Sequence, residues 1–339
     1  MNRLKGVHFG SYWMGINDIV HLMALDLKDV CDSIIIDTDI YSEHKLQWFF
    51  EDYSYNSRRP IRWLNEDKTI ALVKGEKPDF VIVNSGGMSF TPKTINVLRD
   101  LKVVTIGISL SDPDVYPENG KIYSEYYDLF YTNSQYALNN LYSKNTNIKL
   151  LPFAASTRVH RPLGINKIYD VVIVGHARPQ RIKIINKLKT CFNVGLFGSG
   201  WGDGYTTVHG EDQIKAINSG KLYLSFSKTG AGFMNVKVGL FEAIACRTCV
   251  VTEMFDEMEN YFKYGIDILG YEREKQLIDL ISFYLEKDNL REWIAENSYQ
   301  RLLNQHIWTK RWENVLNDIK YIMANNRKTR SKNELFHTE

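Results

Sequence analysis

Short, continuous apolar runs of strand length recur along this chain, and amphipathic segments of helix length lie between them. In the first half of the 339 residues, the runs occur at 6–10, 33–37, 79–84, 103–109, 129–133 and 148–153. Unbroken runs of this length are typical of parallel strands that are buried on both faces. The segments between them, such as 17–30 and 92–101, fit the helices that connect parallel strands. The alternation predicts an α/β fold with doubly wound sheets.

A second series of the same kind follows a polar stretch at 155–169, which contains Pro162 and Gly164 and has no clear period. This stretch predicts a linker between two domains. Strand-like runs follow at 170–175, 193–198, 221–227 and 248–253, and 272–324 has an almost continuous helical pattern. The tail at 327–339 is basic and lacks an apolar period, so we expect it to be disordered.

Charge and cysteine content narrow the class of protein. Lys and Arg number 42 against 40 Asp and Glu, a formal charge of +2, which argues against nucleic acid as a partner. The four cysteines and the lack of an N-terminal signal pattern predict a cytoplasmic protein without disulfides. No apolar run approaches the ~20 residues of a transmembrane helix.

Glycines stand at the ends of several predicted strands, at 9–18, 84–87, 174–181, 197–204 and 227–232. Ligands of open parallel sheets bind outside the carboxyl ends of the strands, where glycine lets the backbone approach them. Any one of these glycines also fits an ordinary strand end. Their recurrence in both halves favours a cleft between the domains.

One predicted helix combines a glycine-bearing loop with an isolated acidic residue. Asn235 and Lys237 lie in its first turn, where free N–H groups and the lysine would suit a phosphate or diphosphate. Glu242 follows among apolar residues, and its carboxylate could accept hydrogen bonds from two vicinal hydroxyls, such as those of a ribose. The alternative is that Glu242 pairs with a lysine or arginine.

At these residues the sequence resembles the GT-B glycosyltransferases, in particular their CgeB-like (spore maturation protein) branch. The order Phe-Glu-Ala-x-Ala-Cys, a short turn and Val-Val-Thr is similar to that family's nucleotide-sugar motif. Further similar motifs, spread over about 77–316, are KPDFVIVNSGG, SLSDPD, YDLFYTNS, LPFAASTRVHRP, DVVIVGHARPQR, LFGSGW and NQHIWTKRWENVL.

The resemblance implies two Rossmann-like domains that face a cleft. The N-terminal domain, at 1–155 with a returning C-terminal helix at 306–326, would bind the acceptor, and 156–305 would bind the nucleotide sugar. It also implies that Glu242 binds the ribose hydroxyls, that Arg181 or its neighbours contact the diphosphate, and that Trp201 lies near the base. Trp201 could instead fill the core, and Arg181 could be a surface residue.

The sequence departs from the family pattern at two places. Where fuller relatives have a second glutamate that contacts the donor sugar, this chain has Met234. The glycine and proline of the turn after the family helix are Arg247 and Cys249 here. The first departure leaves the identity of the sugar open, and the second suggests a less tight turn.

Candidates for acceptor chemistry lie in the N-terminal half. Asp18 or Asp112 could remove a proton from an acceptor hydroxyl, although a helix cap and a turn would also explain them. Among the histidines, other possible bases are His8, His21, His160 and His176.

Three further patterns have competing interpretations. Asp37 and Asp39 form the Asp-x-Asp that metal-dependent transferases use, but such short matches are common. The spacing of Cys246 and Cys249 lacks the second pair of a zinc site and fits burial at a turn. The interleaved aromatic and arginine residues of segment 41–63 could bind single-stranded nucleic acid or sugar rings. The interpretation we favour is a helix and loop packed on the sheet that contribute to acceptor recognition.

We therefore predict an enzyme that transfers a hexose from a nucleoside-diphosphate sugar to a hydroxyl of a glycan, protein or small molecule. Among the donors, a UDP-sugar is the one we favour. No cofactor or obligatory metal is expected, since positive helix ends and cationic side chains would replace the metal's charge. The alternatives are a non-catalytic nucleotide-sugar or carbohydrate-binding protein, and a metal-dependent transferase using Asp37 and Asp39. The predicted catalytic residues are Asp18, Asp112 and Arg181, and the donor-binding residues are Gly10, Gly15, His176, Arg178, Gly198, Trp201, Lys228, Thr229, Gly230, Asn235, Lys237 and Glu242.

Overall fold

The computed structural model describes residues 3–10, 18–38, 50–54, 61–85, 88–117, 119–142, 147–202 and 204–336. The chain divides into two compact units, Met1–Pro152 with Thr309–Glu339, and Phe153–Trp308. The sequence patterns placed the corresponding boundaries at 155 and 306. Of the predicted site residues, Gly15 and Asp39 lie outside the described ranges.

The first unit is built on a six-stranded sheet in the order β2-β1-β5-β7-β8-β9. All neighbouring strands in it are parallel. The strands are β1 (Lys5–Gly10), β2 (Asp32–Asp37), β5 (Phe80–Ser85), β7 (Val104–Ser109), β8 (Leu129–Thr132) and β9 (Ile148–Leu150). They coincide with the apolar runs of the first half, because each strand is buried by helices packed on the sheet.

Polar residues fix where several helices of this unit begin. Asp18, Asn65, Thr91 and Ser134 each accept a hydrogen bond from a backbone N–H in the first turn of the following helix. Such caps satisfy N–H groups that have no partner within the helix. The helices are α1 (Ile19–Val30), α2 (Glu66–Glu76), α3 (Pro92–Asp100), α4 (Gly120–Tyr123), α5 (Gln135–Asn140) and α11 (Trp308–Phe336).

The aromatic-rich segment differs from its prediction. Its described parts are not a helix and loop but the strands β3 (Phe50–Ser54) and β4 (Ile61–Leu64), which pair antiparallel. With β6 (Met88–Ser89), which is parallel to β4, they form a separate three-stranded sheet. Aromatic and β-branched residues favour strands when a neighbouring strand is available, and the apolar content alone did not distinguish the two structures.

The second unit is built on a parallel five-stranded sheet in the order β11-β10-β12-β13-β14. Its strands are β10 (Tyr169–Val174), β11 (Val194–Phe197), β12 (Gly220–Ser225), β13 (Cys249–Glu253) and β14 (Leu269–Tyr271). Its helices are α6 (Pro179–Lys189), α7 (Glu211–Asn218), α8 (Val238–Ala245), a 3₁₀ helix (Asp256–Asn260), α9 (Glu274–Leu285) and α10 (Asp288–Gln305). The doubly wound α/β prediction is confirmed for both units.

The basic tail also differs from its prediction. Helix α11 continues to Phe336, so the backbone at 327–336 is helical where we expected disorder. The sequence NRKTRSKNELF at 326–336 contains no glycine or proline, and nothing in it ends a helix that has already formed.

Candidate functional site

The best-built polar site of the second unit lies at the point where its sheet changes direction. From β10 the chain goes to β11 on one side, and β12 then lies on the other side of β10. Loops that leave in opposite directions open a crevice at the carboxyl ends of these two strands, and ligands of such sheets bind there. Predicted site residues lie in the loop after β10 and in helix α8, which follows β12.

The loop after β10 and the loop after β11 are in close contact with each other. Gly198 has a φ of 130°, and a Cβ atom on it would overlap the Gly175 carbonyl. The indole Nε1 of Trp201 donates to the same carbonyl oxygen at 2.7 Å. The ring packs on the core of the second unit. Gly198 and Trp201 therefore have structural roles. For Trp201, this is the alternative that the sequence analysis named, a residue that fills the core.

Two arginines lie together after β10. The Nη1 atom of Arg178 is buried and has no hydrogen-bond partner among the described residues. Arg181 donates to the His176 carbonyl at 2.9 Å and places its guanidinium 5.1 Å from the centre of the Phe226 ring. Burial, reinforced by the Arg178 cation, lowers the pKa of Arg181, while Glu253 and Tyr223 act in the opposite direction. Such a pair of poorly hydrated cations is suited to bind an anion.

His176 is exposed at the same strand end, and its Nδ1 is paired with the Ser199 hydroxyl. This contact links the loops after β10 and β11 once more. His176 also accepts a hydrogen bond from Arg181 at its backbone carbonyl, so the two residues are in contact.

A buried tyrosine is influenced by the charges of both Arg181 and Glu242. The hydroxyl of Tyr223, on β12, donates to the Val174 carbonyl at 3.3 Å. Burial raises the pKa of Tyr223, the Glu242 carboxylate adds to this effect, and Arg181 opposes it. The tyrosine thus lies within electrostatic range of both charged groups and remains neutral.

Glu242 is mostly buried on helix α8, with 14% of its side chain exposed. Its Oε2 accepts a hydrogen bond from Gln213 Nε2 at 2.9 Å, and its Oε1 lies 3.7 Å from His160 Nε2. The expected alternative, a pair with a lysine or arginine, is therefore not what these contacts show. The carboxylate keeps lone pairs that a hydroxyl could meet, since each carboxylate oxygen can accept more than one hydrogen bond.

The loop between β12 and α8 is a compact turn. Lys228 pairs with Met234 in an antiparallel bridge, and Thr229 accepts hydrogen bonds from Phe233 N at Oγ1 and from Gly232 N at its carbonyl. Lys228 and Gly230 are exposed, and Thr229 is buried. The loop is therefore closed by hydrogen bonds within itself and presents the Lys228 ammonium group after β12.

Helix α8 begins at Val238, so Asn235 and Lys237 lie just before its first turn, whereas we had expected them within it. The Asn235 N–H donates to the Ser227 carbonyl at 3.1 Å, and Lys237 is the N-cap residue without a side-chain cap. A helix that lacks a side-chain cap leaves its first N–H groups to other acceptors, such as a phosphate.

The predicted residues of the first unit have structural partners. Gly10 ends β1, and its carbonyl accepts from Thr38 N at 2.7 Å. Asp18 caps α1 and accepts from Val20 N at 2.8 Å. Asp112 is buried and accepts from Thr132 Oγ1 at 2.7 Å and from Tyr142 OH at 2.9 Å. Burial raises the pKa of Asp112. These contacts match the cap and turn roles that the sequence also allowed.

Sequence reasoning missed Gln213, Tyr223 and Glu253, and it named His160 only as a possible base. Their positions come from pairing between strands and helices that are distant in sequence. A polar residue in the apolar run of β12 was the only available sign of Tyr223.

The cysteine and metal predictions can be compared with the same structure. Cys246 and Cys249 are buried free thiols, and burial raises the pKa of each to about 12. Within the described ranges, no three His, Cys, Asp or Glu side chains are grouped so that they could hold a metal ion. Among the described helices, none has the length and apolar character to cross a membrane.

Comparison with known proteins shows what the chain is similar to. Residues 179–317 match a protein-family model described as glycosyl transferase-like. No curated protein sequence matches the chain. The fold is similar to that of sucrose-phosphate synthase from Thermosynechococcus elongatus, with a TM-score of 0.61 at 12% identity over 95% of this chain and 100% of that one.

Two other solved structures have similar folds. Anabaena HepE in complex with UDP and glucose gives a TM-score of 0.62 at 12% identity, covering 94% of this chain and 100% of that one. AviGT4, a glycosyltransferase involved in avilamycin A biosynthesis, gives 0.60 at 12% identity, covering 95% and 98%. Residues 179–317 are thus similar to a glycosyl transferase-like family, and the fold is similar to that of these solved structures.

Proposed function

We propose that this chain transfers a hexose from a UDP-sugar to a hydroxyl group of an acceptor. The observation that carries the proposal is the sequence of groups at the crevice of the second unit. Arg178 and Arg181 lie after β10, and the Glu242 carboxylate lies on α8. Tyr223 is within electrostatic range of both Arg181 and Glu242. This combination suits a nucleoside diphosphate, because the cations can bind the diphosphate and the carboxylate can accept hydrogen bonds from the ribose hydroxyls.

The arginines would contribute directly to the reaction. When the bond between the sugar and the diphosphate breaks, negative charge grows on the leaving phosphate oxygen. Fixed guanidinium groups stabilise that charge. Because they already lost part of their water when the chain folded, no further dehydration is needed during the reaction. The first turn of α8 and Lys228 would bind the same group. We therefore propose that the reaction needs no metal ion, with arginine and lysine supplying the positive charge.

UDP as the nucleotide is supported by the structure of HepE, which was solved with UDP-glucose, with a TM-score of 0.62 at 13% identity. The order of motifs from KPDFVIVNSGG to NQHIWTKRWENVL supports a place in the CgeB-like branch. We propose a cytoplasmic site of action on the ground that all four cysteines are free thiols. Asp18 and Asp112 are left out of the chemical step, because their carboxylates cap a helix and accept buried hydroxyls.

The first experiment is calorimetric titration of the chain with UDP, GDP and dTDP, with and without EDTA, together with hydrolysis assays on several UDP-sugars. We expect UDP to bind most tightly, EDTA to change its affinity little, and one UDP-sugar to be turned over. The variant Glu242→Ala should weaken UDP binding by at least about 10-fold, the effect of one hydrogen bond to a charged group.

The matched control is Glu286→Ala, which removes an exposed glutamate at the end of α9 and should leave UDP binding unchanged. Equal affinity of wild type and Glu242→Ala for UDP would refute the donor site. Tight UDP binding without turnover of any donor would favour the non-catalytic alternative. Loss of activity with EDTA would favour the metal-dependent one.

A further inference from the structure

Glu242 is approached from two sides by side chains that no sequence motif assigned to it. Gln213, on α7, donates to Oε2, and His160, which follows a turn at 157–159, points Nε2 toward Oε1. The histidine is only 4% exposed. Two different segments of the second unit therefore place polar hydrogens around one carboxylate.

The position of His160 is fixed by its own backbone and by the residues after it. Its N–H donates to the Ser156 carbonyl at 3.0 Å. Asn218, at the end of α7, accepts from Leu163 N at 2.7 Å and donates to the Arg161 carbonyl at 3.0 Å. The segment that carries His160 is thereby attached to the helix that carries Gln213, and both side chains keep their relation to Glu242.

The chemistry of the ring supports donation toward the carboxylate. His160 Nδ1 is buried and has no hydrogen-bond partner in the part of the chain that the structure describes. No acceptor there holds a proton on Nδ1, whereas the Glu242 carboxylate lies on the Nε2 side. The tautomer with the proton on Nε2 is thus favoured electrostatically. The 3.7 Å separation is too long for a hydrogen bond, and a shift of about 1 Å would form one.

We propose that His160 is a positioning residue for the donor site. It donates from Nε2 to Glu242 Oε1 when the nucleotide binds, and together with Gln213 it fixes the rotation of the carboxylate so that the remaining lone pairs face the ribose hydroxyls. This inference rests on the proposed function, because it assumes that Glu242 binds the ribose. The role is confined to the hydroxyl groups and does not involve the base or the diphosphate.

The test measures the Kd of UDP and of 2′,3′-dideoxy-UDP by calorimetry for the wild type, His160→Phe and His160→Gln. Phenylalanine fills a similar volume but cannot donate, and glutamine restores a donor. We expect His160→Phe to weaken UDP about 10-fold and to change the dideoxy nucleotide by less than about 2-fold, with His160→Gln close to wild type toward both. The exposed His209 provides the control variant His209→Gln, which should bind both as the wild type does.

A double-mutant cycle with Glu242→Ala completes the design. If His160 acts through Glu242, replacing it in the Glu242→Ala background has no further effect on UDP affinity. Should His160→Phe fail to fold, His160→Met serves in the same cycle. Equal weakening of both nucleotides, or of neither, would overturn the positioning role while leaving the donor site intact. A wild type that binds no nucleotide would overturn the proposed function and this role with it.

Discussion

Replacing Arg181 with methionine separates stability from function at the proposed donor site. The guanidinium is partly buried beside a second cation, Arg178, and burial is the larger of the causes that lower its pKa. Its aliphatic stem would be retained in methionine, and so would contact with the Phe226 ring, which lies under the guanidinium at 5.1 Å. The substitution therefore removes a poorly hydrated charge without opening a large cavity.

The expected free energies follow from the contacts. Loss of the hydrogen bond to the His176 carbonyl, 2.9 Å long, lowers the stability by about 1.5 kcal/mol or more. Relief of desolvation and of repulsion from Arg178 acts in the opposite direction with similar size. The free energy of unfolding should thus stay within about 1 kcal/mol of wild type. Loss of one charge-assisted hydrogen bond to the diphosphate should weaken UDP by about 10- to 150-fold.

The assay combines urea unfolding with calorimetric titration of UDP. A matched control is Arg301→Met, because Arg301 pairs with the buried Asp267 at 2.9 Å. Removing that partner leaves a buried carboxylate without its cation, so the control should lose stability and keep its affinity for UDP. The opposite pattern for Arg181→Met, with a large loss of stability and an unchanged Kd for UDP, would refute the reasoning and make Arg181 a structural residue.

Further predictions concern the loops and the core. Trp201→Phe loses the hydrogen bond to the Gly175 carbonyl and should lower the free energy of unfolding by about 1 kcal/mol in urea, with little change in UDP affinity; a large loss of affinity instead would indicate contact with the base. Gly198→Ala should lower the free energy of unfolding by about 2 kcal/mol or more, because φ is 130° and the added Cβ would overlap the Gly175 carbonyl. The control Gly164→Ala adds its Cβ to open space and should be neutral. Equal melting temperatures of the two variants would contradict this. Burial, aided by the neighbouring His21, lowers the pKa of His8 from 6.5 to about 3. Below pH 6.5 the unfolded chain therefore binds a proton that the folded chain does not. The free energy of unfolding should fall by up to about 1.4 kcal/mol per pH unit from pH 6.5 downward. In His8→Asn that slope should be smaller, and an unchanged slope would exclude His8 as its source.

The sequence alone predicted the framework because strand burial leaves a local record. Parallel strands covered on both faces need unbroken apolar runs, and β1, β5, β7, β10 and β13 each agree with such a run to within one residue at either end. Glu242 was recognisable for a related reason, since a charge within an apolar helix must have a compensating partner. These inferences used only neighbours in sequence, and the structure confirms the strands.

Local pattern was insufficient where two structures satisfy the same residues. The aromatic segment has the apolar content of either a packed helix or strands, and pairing with β6 selected strands for 50–54 and 61–64. Asp18 and Asp112 were compatible with both catalysis and structure until their hydrogen-bond partners were visible.

The composition of the proposed donor site was decided by tertiary structure. Gln213 on α7 donates to the Glu242 carboxylate, and His160, in the segment before β10, lies 3.7 Å from it. Tyr223, on β12, is within electrostatic range of the same carboxylate. These residues are separated by tens of positions along the chain, so no local periodicity relates them. They come together because the parallel sheet brings the ends of distant strands and helices to one edge, where burial and low dielectric make each charge depend on its neighbours.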